Sequence, residues 1–176
     1  MMAHVHHRGG EPSAFLVENI DLLPEGCALD VAMGRGRNAV YLASRGFEVE
    51  GVDISAEALE AAKALARKSG VRLKARLKDL EKDVFIEKDA YDLIICFNYL
   101  YRPLIPVLKA ALRMGGMLVY ETYIVDQTQF GRPRNPKHLL KHNELLDLFR
   151  DFRCLRYREG ILECRKAIAG FIGIKE

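Results

Sequence analysis

The chain of 176 residues is long enough for one domain with a buried core. Its hydrophobic fraction of 49% and charged fraction of 29% are ordinary for a globular protein, and a net charge of +3 is too small to indicate nucleic-acid binding. No apolar run approaches the ~20 residues that span a membrane, and the start lacks the apolar core of a secretory signal. We therefore expect a single-domain cytoplasmic protein, with residues 1–11 as a flexible N-terminus.

The cysteines and the two most polar clusters do not indicate a disulfide, a metal or a nucleic acid. The four cysteines have neither paired nor C-x-x-C spacing, and three fall in apolar, strand-like runs, so we interpret them as reduced core thiols. The stretch Ala3–His7 (AHVHH) is followed by no carboxylate or cysteine at ligand spacing, so we expect no metal site. The basic stretch Lys63–Lys78 is interpreted as a solvated helix end and strand face, with an RNA-facing patch as the less favoured alternative.

Strand patterns alternate with helical patterns along most of the chain. The predicted strands are residues 27–32, 47–52, 71–77, 91–97, 117–124, 152–158 and 161–174. The predicted helices begin after Ser13, at residues 38, 56 and 103, and at Asn143. This alternation predicts an α/β fold with a doubly wound, mostly parallel sheet and helices on both faces. The last two strands, hinged at Glu159-Gly160, have no helix between them and should pair antiparallel at one edge.

Residues 28–40 read ALDVAMGRGRNAV and join the first strand to the following helix. In a doubly wound sheet, ligands bind outside the carboxyl ends of the strands, at the switch point beside the first strand. Gly34 and Gly36 lie there, and glycine permits both a tight turn and a close backbone approach to a ligand. A turn with packing glycines and no ligand is one alternative. Dinucleotide binding is another, since Gly34–Ala39 match G-x-G-x-x-A.

Three acids are predicted to cluster at the tips of adjacent strands. Asp30 lies in the first strand, Asp53 ends the second strand 19 residues after Gly34, and Asp79 ends the third. A carboxylate in the place of Asp53 accepts both hydroxyls of a ribose, and one in the place of Asp79 suits the exocyclic amine of an adenine. Three acids are a poor cradle for a pyrophosphate, which needs backbone N–H groups and cations, and a good one for a cationic nucleoside. The chain has no P-loop motif.

From about Pro12 onward, the sequence resembles the class I S-adenosylmethionine-dependent methyltransferases. The family's first motif, commonly D-L-G-C-G-x-G, stands here as DVAMGRG at residues 30–36, with Ala32-Met33 in place of Gly-Cys. The stretches that look like the small tellurite-resistance-type branch are RNAVYLA (37–43), GFEV (46–49), VDIS (52–55), KDLE (78–81), YDLI (91–94) and GRPRNP (131–136). The resemblance implies a Rossmann-like, seven-stranded, mostly parallel sheet with a C-terminal antiparallel hairpin, and S-adenosylmethionine as the cofactor, released as S-adenosylhomocysteine.

The resemblance also implies which residues contact the cofactor. They are Asp30, Ala32, Met33, Gly34, Gly36, Asn38, Asp53, Ile54, Asp79, Leu80 and Asn98. Among them, Asp30 is expected to hold the amino end of the cofactor through a water molecule, and Asp53 the ribose diol. Ile54 is expected to press on the adenine, whose edge contacts Asp79 and Leu80.

The methyl acceptor is expected beyond the fourth and fifth strands, where Asn98 would line the methionine and face the transferred methyl. The candidates are Tyr101 and Arg102 as catalytic residues and Tyr99, Tyr123, Arg132 and Arg134 as substrate-binding residues. The arginines are candidates for orienting an anionic acceptor, and solvated or loop-clamping arginines are the alternative. Amino-methyltransferases of DNA and RNA usually carry an Asn/Asp/Ser-Pro-Pro-aromatic motif, but residues 98–101 read NYLY. We therefore expect a small-molecule acceptor.

Two other functions are compatible with parts of the sequence. One is an NAD(P)-binding oxidoreductase or sensor module, and the other is a cofactor-binding protein without turnover. Asp30 and Asp79 argue against the first, because only the methyltransferase interpretation gives both a role. The substitution Ala32-Met33 is the one feature that favours the second. The leading prediction is a methyltransferase that acts on a small molecule by in-line displacement, as a monomer or homodimer.

Overall fold

A seven-stranded, mostly parallel sheet organises residues 10–176, the part of the chain that this computed structural model describes. The strands are β1 (Cys27–Val31), β2 (Glu48–Asp53), β3 (Lys74–Leu77), β4 (Tyr91–Phe97), β5 (Leu112–Tyr123), β6 (Phe152–Leu162) and β7 (Lys166–Lys175). Their order is β3-β2-β1-β4-β5-β7-β6; β1–β5 are parallel, and β7 is antiparallel to both of its neighbours. The predicted fold class is confirmed. The chain leaves β1 toward β2 and later returns to β4 on the other side, which creates the predicted switch point.

Helices cover both faces of the sheet. They are α1 (Ala14–Glu18), α2 (Arg37–Ser44), α3 (Ala56–Lys68), α4 (Ile105–Ala111) and α5 (Glu144–Leu148), with short 3-10 helices at Ile20–Leu22, Arg102–Leu104, Val125–Gln129 and Pro136–His138. Leu16, Leu42 and Leu59 anchor α1, α2 and α3 in the core of one face. Leu108 and Leu145 anchor α4 and α5 in the core of the other. Within residues 10–176, no helix is long and apolar enough to cross a membrane.

The last hairpin turns later than the sequence predicts. Its turn lies at residues 163–165, and the predicted hinge Glu159-Gly160 lies inside β6. The cross-strand pairs continue through Gly160–Ile168 to Leu162–Lys166. The ladder between β6 and β7 therefore continues through Gly160, whose φ of +149° is accessible because glycine has no Cβ.

The fifth strand also begins earlier than its apolar run indicates. β5 starts at Leu112 and includes Gly115-Gly116, whereas the predicted strand begins at residue 117. The register against β4 shifts between Tyr91 and Leu93, so the extra residues form an irregularity in the ladder. A Cβ on Gly116 would lie 2.8 Å from the Arg113 carbonyl oxygen, so glycine allows this close backbone approach.

The prediction that the cysteines are core thiols holds only for Cys96. Cys96 is buried, Cys27 is half-buried, and Cys154 and Cys164 are exposed, all as free thiols. Cys154 points to solvent from the edge strand β6, and Cys164 lies in the hairpin turn. The histidine-rich stretch at residues 3–7 lies outside the described residues, as does most of the segment predicted to be flexible.

Candidate functional site

The loop after β1 folds across the end of β2. The Met33 N–H donates a hydrogen bond to the Val52 carbonyl (3.0 Å), and the Gly34 N–H donates to Asp53 Oδ2 (2.8 Å). Gly34 and Gly36 have φ values of +56° and +80°, which glycine adopts without strain. The turn therefore brings the backbone at Gly34 to the carboxylate that ends the second strand.

The two glycines of this turn serve different purposes. A Cβ on Gly36 would lie 2.6 Å from the Cβ of Ala62, so Gly36 is required for the close packing of the turn against α3. A Cβ on Gly34 would meet no atom of residues 10–176 within 4 Å. The interpretation as a packing glycine therefore fits Gly36, whereas Gly34 borders open space that a ligand can enter.

Asp30 is a buried acid with an unpaired oxygen. Its side chain is 2% exposed, and its Oδ2 has no hydrogen-bond partner within the described part of the chain. Burial raises the pKa of Asp30 to about 8; a hydrogen bond from the Ala39 backbone opposes the rise, and the Asp53 carboxylate adds to it. An unsatisfied buried polar atom costs roughly 1–3 kcal/mol. A ligand that donates a hydrogen bond or carries a positive charge would remove this cost.

A cavity of about 700 Å³ opens at the carboxyl ends of β1 and β4. The predicted site residues that line it are Asp30, Ala32, Met33, Gly34, Asn38, Asn98 and Tyr99. Arg35, Arg37 and Lys68 add three cationic side chains to the lining. The volume is in the range of about 300–1,000 Å³ that is usual for small-molecule sites.

The other predicted cofactor residues lie at neighbouring strand ends and do not line this cavity. They are Gly36, Asp53, Ile54, Asp79 and Leu80. Asp53 already accepts hydrogen bonds from two backbone N–H groups, of Gly34 (2.8 Å) and Ser55 (2.9 Å), one on each carboxylate oxygen. Each oxygen keeps a second lone pair. Ile54 is 66% exposed, an unusual position for a large apolar side chain and one that a flat ring can cover.

The end of the third strand offers a polar edge next to an apolar one. Asp79 Oδ1 accepts a hydrogen bond from the Glu81 N–H (3.0 Å), and Oδ2 lies 3.5 Å from the Lys82 ammonium. Leu80 is buried in the core of the sheet. Asp53 pairs with Leu77, the last residue of β3, so the second acid ends β2 and the third follows the end of the adjacent strand.

The loop after β4 is held by a tyrosine, Tyr120, that the sequence pattern does not distinguish from other core residues. Asn98 has φ +56°, and its N–H donates to the Glu121 carbonyl (2.9 Å). The buried Tyr120 hydroxyl donates to the Tyr99 carbonyl (2.8 Å), with the Cys96 thiol at 3.7 Å from the same oxygen. These bonds fix the two residues of the loop that line the cavity. In the sequence, Tyr120 has the pattern of an ordinary core aromatic, so only its hydrogen bond to the Tyr99 carbonyl reveals that it supports this loop.

Arg102, a predicted catalytic residue, is engaged in the protein's own structure. Its guanidinium binds both carboxylate oxygens of Glu144 (2.5 and 2.9 Å) and donates to the carbonyls of Lys137 (3.1 Å) and Leu139 (2.9 Å). The Glu144 carboxylate raises the pKa of Arg102 further, so the pair is charged throughout the physiological range. These contacts hold the segment before α5, as in the loop-clamping alternative. They occupy the guanidinium of Arg102, which is therefore not free to bind a substrate.

The remaining predicted acceptor residues lie apart from one another. The Tyr101 hydroxyl is 3.5 Å from the Glu81 carbonyl, on the side of the third strand. Tyr123 is half-buried, and burial raises its pKa while the nearby Arg37 lowers it. The side chains of Arg132 and Arg134 are exposed and make no hydrogen bond or ion pair within residues 10–176. The structure thus brings Asn98 and Tyr99 to the cavity but not the two loop arginines.

A larger hollow, of about 870 Å³, lies over the face of β1–β3, where residues 78–90 form a loop and no helix. Glu50 in its lining is held by Lys74 (2.9 Å) and Arg76 (3.1 Å). This hollow runs along the strands instead of at their carboxyl ends, and none of the predicted site residues lines it. We therefore take the smaller cavity, which contains Asp30, as the candidate site.

A metal-binding cluster is not found in the part of the chain that the structure describes. Residues 10–176 contain no group of three or more His, Cys, Asp or Glu side chains placed to hold an ion. His142 instead pairs with Asp126 at the surface, and this contact raises its pKa.

Comparison with known proteins identifies the family. Residues 28–116, just over half of the chain, match the methyltransferase domain family. No curated protein matches the chain. Among solved structures, TehB from Haemophilus influenzae is similar with a TM-score of 0.78 and 20% identity, over 93% of this chain and 62% of TehB.

Two further structures support the same fold. An S-adenosylmethionine-dependent methyltransferase from Methanosarcina mazei has a TM-score of 0.73 and 20% identity, over 94% of this chain and 98% of that one. Geranyl diphosphate C-methyltransferase from Streptomyces coelicolor, solved with S-adenosyl-L-homocysteine, has a TM-score of 0.72 and 16% identity, over 93% of this chain and 80% of that one. The predicted resemblance is confirmed: the chain belongs to the methyltransferase domain family and has the fold of the S-adenosylmethionine-dependent methyltransferases.

Proposed function

We propose that this protein transfers the methyl group of S-adenosylmethionine to a small-molecule acceptor. The observation that carries the proposal is Asp30, a buried acid that has one unpaired oxygen and lines a cavity at the switch point of a methyltransferase fold. The ammonium of a methionine group is the kind of partner that this oxygen lacks. Gly34, with open space where its Cβ would be, supports the same ligand, because it lets the backbone approach it closely.

The chain's own residues fit the other parts of this cofactor. The free lone pairs of the Asp53 carboxylate can accept the two hydroxyls of a ribose, and its backbone hydrogen bonds already orient it. The exposed Ile54 side chain offers apolar surface to an adenine. We further propose that Asp79 and Leu80 contact the edge of the adenine, and that Asn98 contacts the methionine. Met33, which is buried, and Asn38 shape the cavity wall.

Catalysis by such a site rests on positioning and on the exclusion of water. When bound, S-adenosylmethionine supplies a methyl group that its sulfonium already activates. The loop at Asn98 and Tyr99, fixed from below by Tyr120, would hold the acceptor in line with that methyl. Positioning supplies roughly 7–11 kcal/mol of barrier reduction in well-oriented reactions. A general base is needed only for an acceptor that arrives protonated.

We propose a small molecule as acceptor, with an anionic group as one of its features. The loop after β4 reads NYLY and lacks the two prolines that nucleic-acid amino-methyltransferases carry. Arg35, Arg37 and Lys68 line the cavity and give it cationic side chains that suit an anion, whereas Arg132 and Arg134 do not line it. The fold relative from Streptomyces acts on geranyl diphosphate, an anionic small molecule. Because the chain spans only 62% of TehB, no substrate is carried over from that protein.

The two rival functions make different demands on the site. A dinucleotide-binding protein would have to place a pyrophosphate near Asp30 and Asp53, although the Asp53 carboxylate already raises the pKa of Asp30. A cofactor-binding protein without turnover would bind S-adenosylmethionine but consume none. A reduced cytoplasmic location and a monomeric or dimeric state stay predictions, the first supported by four free thiols.

The proposal is tested by thermal unfolding with S-adenosylmethionine, S-adenosylhomocysteine, NAD, NADP and ATP. A ligand at 100 times its Kd adds about 2.7 kcal/mol to the free energy of unfolding, enough to raise the midpoint by several degrees. We expect only the two sulfur nucleosides to do so, and Asp30→Asn to abolish the rise. Asp21→Asn, a change at an exposed acid outside the cavity, is the matched control. A rise with NAD and none with the sulfur nucleosides would refute the proposal.

A further inference from the structure

Residues Gly10–Asn19, here called the N-terminal strap, reach the edge of the candidate site at their first residue. Gly10 lines the cavity that contains Asp30. Phe15 and Leu16, farther along the strap, are buried against the sheet. The strap includes α1, which has only five residues. A helix of this length has no stability of its own in water, so the contacts that it makes with the rest of the protein must hold it in place.

One end of the strap is bound to the start of α2. The Ser13 N–H donates a hydrogen bond to Asn38 Oδ1 (2.8 Å), and this bond is buried. The Arg37 guanidinium donates to the Glu11 carbonyl (3.1 Å). Arg37 and Asn38 both line the cavity, so the residues that bind this end of the strap also form part of the cavity lining.

The middle of the strap is bound to the sheet through one arginine. The Arg158 guanidinium of β6 lies 4.5 Å from the centre of the Phe15 ring, at the distance of a cation–π contact. It donates to Glu121 Oε2 (2.7 Å) and lies 3.7 Å from Glu18. Gly170 of β7 leaves room for both side chains, since a Cβ there would lie 3.0 Å from the Phe15 ring and 3.3 Å from Arg158 Cγ.

Glu121 connects this arginine to both sides of the site. Its Oε1 accepts a hydrogen bond from the Ser13 hydroxyl (3.3 Å), while its carbonyl accepts one from the Asn98 N–H (2.9 Å). Its side chain is 12% exposed. The acid therefore binds the strap with its carboxylate and the acceptor-side loop with its backbone.

The Arg158–Glu121 pair is poorly placed for stability alone. Arg158 Nε is buried without a hydrogen-bond partner within residues 10–176. A pair that is partly withdrawn from water contributes little net stability, because desolvation offsets the attraction, yet removing one partner leaves the other charge unpaired. Its clear effect is to specify where the strap lies.

We propose that Arg158 and Glu121 are positioning residues that latch the N-terminal strap over the cofactor cavity, and that opening of this latch limits the release of the bound nucleoside. The inference rests on the proposed function for the identity of the ligand. Neither side chain needs to touch the reacting atoms. Glu121 acts through its contact with Ser13 and Arg158 through its contact with Phe15, and both contacts hold the strap in place.

The test compares Arg158→Met with Arg153→Met. Both arginines lie on β6, but Arg153 pairs with Glu176 at the surface, so the second variant is the matched control. Methionine keeps apolar contact with Phe15 and removes the charge. Losing a charged hydrogen bond of ordinary strength corresponds to about a tenfold change. We expect S-adenosylhomocysteine to leave Arg158→Met about ten times faster in stopped-flow displacement, to leave Arg153→Met at the wild-type rate, and to leave Arg158→Lys at an intermediate rate.

A second readout needs no ligand. Proteolysis after Glu18 by a glutamate-specific protease requires the strap to open, so its rate follows the population of the open state. We expect faster cleavage in Arg158→Met and in Glu121→Gln than in the control, and protection of the wild type by S-adenosylhomocysteine. Wild type that binds no S-adenosylhomocysteine would refute the proposed function. Wild type that binds it, with unchanged release and cleavage in Arg158→Met, would refute the latch alone.

Discussion

Replacing Asp30 by asparagine should stabilise the protein increasingly as the pH rises. Burial raises the pKa of this carboxyl from 3.8 to about 8. Between these two values the folded state keeps the proton and the unfolded state has lost it, so the free energy of unfolding of the wild type falls as the pH rises. Above the folded-state pKa the full cost is reached, which is at most about 6 kcal/mol at 1.36 kcal/mol for each tenfold change. Asparagine has the same shape and cannot ionise, so it escapes this cost.

The assay is urea unfolding of wild type and Asp30→Asn at several pH values between 5.5 and 8. The difference in the free energy of unfolding isolates Asp30, because the other groups titrate alike in both proteins. We expect Asp30→Asn to be the more stable protein and its advantage to grow by up to about 3 kcal/mol over this interval. The same variant should lose binding of S-adenosylhomocysteine. A difference that does not change with pH would refute the view that Asp30 is buried, unpaired and strained in the free protein.

Three further changes test the geometry of the site. Ala32 has φ +54°, a left-handed value that is costly for a residue with a Cβ. Ala32→Gly should therefore raise the free energy of unfolding, measured with urea, by about 0.5–1 kcal/mol. A variant less stable than the wild type would contradict the left-handed conformation of this residue. Gly36→Ala should lower it by more than 1 kcal/mol, because the new Cβ would lie 2.6 Å from Ala62 and φ is +80°; a wild-type melting curve would count against it. Tyr120→Phe removes the buried donor of the Tyr99 carbonyl, so it should lower the free energy of unfolding by roughly 1–2 kcal/mol. It should also weaken the binding of S-adenosylhomocysteine, as measured by calorimetry. Unchanged affinity would show that other contacts hold the loop.

The sequence is sufficient to predict the sheet and the edge of the sheet at which the candidate cavity opens. Apolar runs that alternate with helical patterns led to the doubly wound order, and acids at the ends of such runs had to meet at one edge of a parallel sheet. Asp30, Gly34 and Asn98 were predicted at this edge and line the cavity. Local patterns suffice here, because the strand ends are set by short-range alternation.

Contacts between distant segments could not be predicted in the same way. Arg102 was a candidate for substrate binding, but its partner Glu144 lies 42 residues away in sequence, and no local pattern links the two. Arg158 and Glu121 lie 37 residues apart, on two strands, β6 and β5, that β7 separates in the sheet. One signal was present, namely an acid inside the apolar run MLVYETY, where a buried charge needs a partner.

The most direct test of the account is a calorimetric titration of S-adenosylhomocysteine at pH 6, 7 and 8 in two buffers with different ionisation enthalpies. If the ammonium of the ligand binds the ionised Asp30, binding below pH 8 must release the proton that this carboxyl holds in the free protein. We expect release of nearly one proton at pH 6 and 7, a Kd that falls by up to about tenfold for each pH unit toward 8, and loss of binding in Asp30→Asn. Binding without proton release, or no binding at all, would contradict it.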